Sequence, residues 1–158
     1  MKLGVLFPPD LRASLLRHDG SENWTTGELL SLETIETEWK VWYTLLEDGP
    51  FDEAHAKVQT DGRVQKRWWA RGWLPIACDG GGNGECLDLV PEARGVVGQV
   101  IYMDHEVGDR RVIAASFTDW LREQAEALEA GEYLEYHGEL YTRDDAQDAA
   151  ERDEMNSI

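Results

Sequence analysis

Residues 78–86, "CDGGGNGEC", bring together the residue types from which metal, phosphate and thiol sites are built. A phosphate-binding loop of the G-x-x-x-x-G-K-[ST] kind needs its lysine to reach the phosphates. No lysine or arginine lies between Arg71 and Arg94, and Asp79 and Glu85 would repel an anion. The dinucleotide fingerprint fails as well, because its glycines must open a helix and an apolar strand pattern follows here. Asp79, Asn83 and Glu85 offer oxygen donors suited to calcium, yet their spacing matches neither an EF-hand nor a glycine-rich calcium repeat. Cys78 and Cys86 have no histidine nearby, which is not a zinc spacing. The physical reading is a wide hairpin, in which glycines permit positive φ and close strand approach between Leu74–Ala77 and Cys86–Leu89.

Two further stretches carry chemically suggestive residues. Asp104, His105 and Glu106 are consecutive, as in a metal or acid–base site. Neighbours on a strand point to opposite faces, so the three converge on one ion only if the chain bends, and a solvated strand end is the simpler reading. "RVQKRWWARGW" interleaves four basic residues with three tryptophans, a pattern able to stack nucleic-acid bases. In a chain of net charge −17 the reading is instead that Trp68, Trp69 and Trp73 pack the core while Arg63, Lys66, Arg67 and Arg71 face solvent. His18 sits at a helix end, and His55 and His137 have no recognisable partners. There is no G-x-S-x-G nucleophile elbow, neither cysteine stands in a catalytic signature, and thirty-two carboxylates guarantee accidental pairs. No enzyme motif survives.

These residues need elements to hold them. "FPPDLRASLLRHDG" predicts a short helix, with proline in the first turn, Asp10 at its positive end and Gly20 as the stop. "GELLSLETI" predicts a short strand leading into a second helix, whose Ile35, Trp39, Trp42, Tyr43 and Leu46 share a face and which "EDGP" ends. Residues 51–67 have weak patterning and read as irregular. "GWLPIA", "GECLDLV", "GQVIYMD" and "RRVIAA" predict four strands with short Gly-, Asp- and Asn-rich turns, the pattern of an antiparallel meander. "ASFTDWLREQAEALEAGEY" is the strongest helix, with Ser116 and Asp119 as an approximate capping box and Gly131 at its end. "YLEYHGELYT" predicts a last strand or packed arm. The alanine- and acid-rich segment 143–158 has no apolar face and reads as a flexible acidic tail. Together this is a single α+β domain over residues 1–142, a mostly antiparallel sheet packed against helices.

The chain is 158 residues long, enough for one domain with a real core. No apolar run approaches the ~20 residues needed to cross a bilayer, and the start carries no secretory cleavage pattern. Two cysteines make no disulfide framework, so a cytoplasmic location with reduced thiols is expected. Of the −17, residues Asp144 to Glu154 supply −5, so the body is acidic too. Such a surface disfavours nucleic acid and anionic membrane, and it suits a basic protein partner.

Four segments, in order, carry a resemblance: "FPPDLRASLLRHDG", "WWARGWLPIACDGGGNGECLDL", "GQVIYMDHEVGDRRVIAASF" and "FTDWLREQAEALEAGEY". No one of them is specific, but their order is. The chain resembles the SUKH superfamily, which includes the Smi/Knr-type cell-wall-assembly regulators and many bacterial immunity proteins. Family members carry a further helix before the proline-led segment, where only "MKLGVLF" stands here. The resemblance implies a SUKH fold and a non-enzymatic protein-binding role without cofactor or metal. The role it implies first is an immunity protein that neutralises a cognate toxin, such as a nuclease, by occluding its basic site. The alternative is a regulatory scaffold of the Smi/Knr type, and a third reading is a small-ligand domain using a pocket beneath the glycine turn. The expected partner-binding residues are Asp79, Asn83, Glu85, Asp104, His105 and Glu106. The expected state is a monomer or a homodimer.

Overall fold

The structure is a computed structural model that describes residues 6–49 and 57–156. Helix α1 spans Pro9–Arg17, strand β1 Ser21–Trp24, β2 Gly27–Leu29 and helix α2 Leu32–Asp48. Strands β3 (Gln59–Thr60), β4 (Trp73–Cys78), β5 (Gly84–Asp88), β6 (Gln99–Met103) and β7 (Asp109–Ala114) follow. Helix α3 (Phe117–Glu129), strands β8 (Tyr133–Tyr136) and β9 (Glu139–Thr142), and helix α4 (Arg143–Asn156) complete the chain. The first seven strands form one sheet in the order β1-β2-β4-β5-β6-β7-β3. Every pairing in it is antiparallel except β3 with β7. The α+β expectation is therefore met.

Helices α2 and α3 each start at a serine whose side chain satisfies a free N–H group. Ser31 accepts from Thr34 N at the start of α2, and Ser116 accepts from Asp119 N at the start of α3. In α3 the Ser116 hydroxyl also bonds the Asp119 carboxylate, at 2.7 Å. Asp10, in the first turn of α1, reaches across to accept from Thr118 N and Oγ1, which ties α1 to the N-terminus of α3.

Alternation along β5 divides the sheet into two faces. Glu85 points toward α3, where Trp120 donates to it, while Cys86 lines a cleft beside Trp42 of α2. Helices α1 and α3 thus cover one face and α2 the other. The core fills both sides, with Trp69, Trp73, Trp120, Leu74, Leu87 and Ile101 at 0–1% exposure.

Three stretches differ from the sequence reading. β1, "SENW", adds an edge strand that its polar composition does not announce. Within the stretch read as irregular, Gln59–Thr60 pairs in parallel with Asp109–Arg110, while residues 51–56, with His55, and Pro50 of "EDGP" lie outside the described residues. The segment after Thr142, read as a flexible acidic tail without assigned structure, forms helix α4 through Asn156. Its lack of an apolar stripe hid it. It packs on the β8–β9 hairpin through buried Ala146 and a bond from the Tyr136 hydroxyl to Asp153, at 2.9 Å. That hairpin turns at His137 and Gly138, both at positive φ as a two-residue turn requires.

Candidate functional site

The glycine-rich stretch is the β4–β5 turn, residues 79–83, and its polar atoms are spent on holding its own shape. Asp79 Oδ1 accepts from Gly81 N and Asn83 N at 2.7 and 3.0 Å, and Asp79 Oδ2 accepts from Asn83 Nδ2 at 2.8 Å. With its amide nitrogen turned to Asp79, Asn83 presents Oδ1 outward. His105 reaches that oxygen twice, from its backbone N at 3.1 Å and from Nδ1 at 2.9 Å, so Nδ1 carries the proton. The glycine between them has a steric reason. Gly82 has φ +105°, and a Cβ there would lie 3.0 Å from the His105 ring.

The second stretch follows β6 as a tight turn. Asp104 Oδ1 accepts from Glu106 N and Val107 N, at 2.8 and 2.7 Å, and the bond from Val107 is the main reason its carboxyl lies below its usual range. Glu106 is exposed, 4.0 Å from His105 Nε2. Beneath this turn lies a residue the sequence reading passed over. Arg110 is fully buried, and its guanidinium donates to the carbonyls of Trp68, Asp104 and Asp109. It sits 5.4 and 5.9 Å from the ring centres of Trp68 and Trp73. Burial pulls its pKa down to about 10, so it stays charged at neutral pH. Its neighbour Arg111 is exposed, so only the alternation of the strand tells the buried arginine from the solvated one.

Of the six expected residues, the structure brings five to one end of the sheet: Asp79, Asn83, Asp104, His105 and Glu106. Glu85 is not among them. It is 6% exposed on the opposite face, where it accepts from Trp120 Nε1 at 3.1 Å and from Thr26 at 3.4 Å. Burial pushes its carboxyl up to about 7. The expectation of a surface glutamate fails there because Glu85 shares its face with Leu87 under α3. The tryptophan-rich stretch largely behaves as read: Trp69 and Trp73 are buried and Trp68 half-buried, while Lys66, Arg67 and Arg71 are exposed and Arg63 is half-buried.

What remains open to a ligand lies on either side of the glycine turn. Between α2 and the β4–β5 hairpin is a cleft of about 230 Å³, walled by Val41, Trp42, Pro75, Cys78 and Met103, with half-buried Glu38 at its edge. That is below the ~300 Å³ at which small-molecule pockets begin, and it suits one bulky side chain better than a cofactor. On the other side of Cys78 and Gly80 a shallower groove of about 330 Å³ carries the carboxylates of Glu22, Glu28, Asp79 and Glu139. Burial first, and the nearby Glu28 charge second, hold the Glu38 carboxyl above its usual range. The Cys78 thiol, shared by both clefts, is likewise raised by burial and is not a thiolate nucleophile. Among the described residues no cluster of three or more His, Cys, Asp or Glu side chains is arranged to hold a metal ion. Nor, among them, is any helix long and apolar enough to cross a membrane.

The comparisons with known proteins point one way. A family model described as the SMI1 / KNR4 family (SUKH-1) matches residues 1–123. The "Cell wall biosynthesis/cell cycle regulator smi1" of Schizosaccharomyces pombe is 33% identical over 150 residues, covering 84% of this chain and 30% of that protein. The "Glucan synthesis regulatory protein" of Neurospora crassa is 27% identical, over 84% of this chain and 32% of that protein. A "KNR4/SMI1 homolog" of Kluyveromyces lactis is 32% identical, over 60% of this chain and 19% of that protein. The chain therefore spans about a third or less of the length of the curated relatives it matches.

Proposed function

The chain belongs to the SMI1/KNR4 (SUKH-1) family, and from that premise we propose that it is a regulatory, non-enzymatic protein-binding domain that acts on basic partner proteins in the cytoplasm. The observation that carries this reading is the naming of its fungal relatives as regulators of cell-wall and glucan synthesis. Those relatives favour the regulatory alternative over an immunity protein, for which the superfamily resemblance is the only support.

The geometry is in keeping with it. The polar residues at the end of the sheet hold turns in shape, and no nucleophile, base and orienting group line up along them. What the surface offers a partner is charge and shape. A net −17 with two clefts beside an acidic turn favours a basic surface by complementarity and speeds the encounter.

The test is a pull-down from lysate of its own organism with this protein as bait, the retained proteins being identified by mass spectrometry. Several basic partners, retained at about 0.1 M salt and released as salt screens the charges, are the expected result. A single toxin-like partner would restore the immunity reading, and no retained protein would overturn both.

A further inference from the structure

We propose that the cleft between α2 and the glycine turn, with the acidic groove that adjoins it, is a docking site for an extended peptide segment of a partner protein in which a bulky apolar side chain stands next to lysine or arginine. This rests on the regulatory reading and names the partner's chemistry.

Three observations lead there. The walls of the cleft are apolar while its volume, about 230 Å³, accommodates one large side chain. Helix α2 also leaves Val41 and Leu45 uncovered beside it, at 47% and 45% exposure, so the apolar surface extends beyond the cleft itself. Next, the carboxylates are uncompensated. Glu22, Glu28 and Glu38 make no salt bridge among the described residues, and Glu38 is half-buried with Glu28 as its electrostatic neighbour. A partner cation here would meet two carboxylates already partly removed from water, where an ion pair is worth more than on an open surface. Finally, the two clefts adjoin, with Cys78 and Gly80 between them. Glu28 pairs with Cys78 across β2 and β4. Neighbouring side chains of an extended peptide point in opposite directions, so one can enter the cleft while the next reaches the acidic groove.

The acidic rim also disfavours other occupants. A nucleic acid or an acidic peptide would bring anions to a rim of carboxylates, and a purely apolar helix would leave those carboxylates desolvated without a partner.

The experiment uses the full chain and two fluorescent decapeptides of equal charge, one alternating leucine with lysine and the other alternating glycine with lysine. Anisotropy at physiological salt reads their affinities. The leucine peptide is expected to bind at least about tenfold more tightly. The double reversal Glu28→Lys/Glu38→Lys should weaken it by about tenfold or more. The matched reversal Glu123→Lys/Glu126→Lys, of the same charge change on the exposed side of α3, should cost less than about twofold. Val41→Asp, at a position too exposed to threaten the fold, should weaken the leucine peptide selectively.

Bound peptide should also slow alkylation of Cys78, which lines both clefts. Equal affinity for the two peptides, or equal losses in the two charge-reversed proteins, would overturn the site and leave only diffuse attraction. The outcomes separate this site from the regulatory reading. If partners from lysate stay on the Glu28→Lys/Glu38→Lys bait, the reading stands and the site falls. If the unaltered bait retains nothing, the reading falls whatever the peptides do.

Discussion

At the scale of single residues, Glu85 is the group most out of keeping with its surroundings. It is a carboxyl with neutral hydrogen-bond donors, Trp120 and Thr26, and no cation among its described partners. Burial holds its pKa near 7 in the fold, against 4.5 in an exposed chain. The folded state therefore binds the proton more tightly than the unfolded state, and stability falls as pH rises between those values. The contribution is fully present below about pH 4.5 and lost by about pH 7. A shift of this size corresponds to about 3 kcal/mol, at about 1.4 kcal/mol for each pKa unit. Glu85→Gln keeps an acceptor for Trp120 and removes the ionisation. Melts from pH 5 to pH 8 should show the variant flatter than the parent, and more stable at pH 8 by up to about 3 kcal/mol. Some slope will remain, because burial also raises the carboxyls of Glu38 and Asp88. Parallel pH curves for the two proteins would show that Glu85 stays ionised in the fold.

At the scale of elements, the central strands were legible and the edges were not. β4 to β7 are apolar runs separated by turns rich in glycine, and their pairing follows from order alone. β1 and β3 are short and polar, and they become strands only because a neighbour offers a ladder. The site divides in the same way. Composition marked the glycine turn and the Asp104–Glu106 turn, but nothing local says that Asn83 will meet a histidine 22 residues away. Glu85 was misplaced because its charge was read without its parity with Leu87. The hydrogen bonds that tie the β8–β9 hairpin to β1 were equally invisible, since a single asparagine makes two of them. Asn23 Nδ2 donates to Gly138 O at 2.6 Å, and Asn23 Oδ1 accepts from Leu140 N at 2.8 Å, much as a further strand would. Two such bonds are worth roughly 1–3 kcal/mol together. Asn23→Ala should therefore speed amide exchange across residues 133–142 and leave β4 to β7 unchanged. Equal exchange throughout would mean that α4 and α3 hold the hairpin without Asn23.

At the scale of the whole molecule, the question is whether the acidity works as a field or as a local patch. Residues 143–158 hold six acids and two arginines, a net −4 of the total −17, and most of their length is helix α4. The remaining −13 is spread over the domain that the family model largely covers. Screening acts over about 10 Å at 0.1 M salt, so a charge steers an approaching cation only if it lies near the path. The carboxylates around the glycine turn satisfy that condition for the proposed cleft, and they all precede residue 143. Association of the leucine–lysine peptide, followed by stopped flow, should therefore slow by about tenfold or more between 0.05 and 0.5 M salt, with little change in dissociation. A chain truncated after Thr142 should keep that salt dependence and lose less than about threefold in rate at low salt. If truncation instead abolishes most of the salt dependence, the steering field resides in α4, and the acidic rim serves only to hold a peptide that has already arrived.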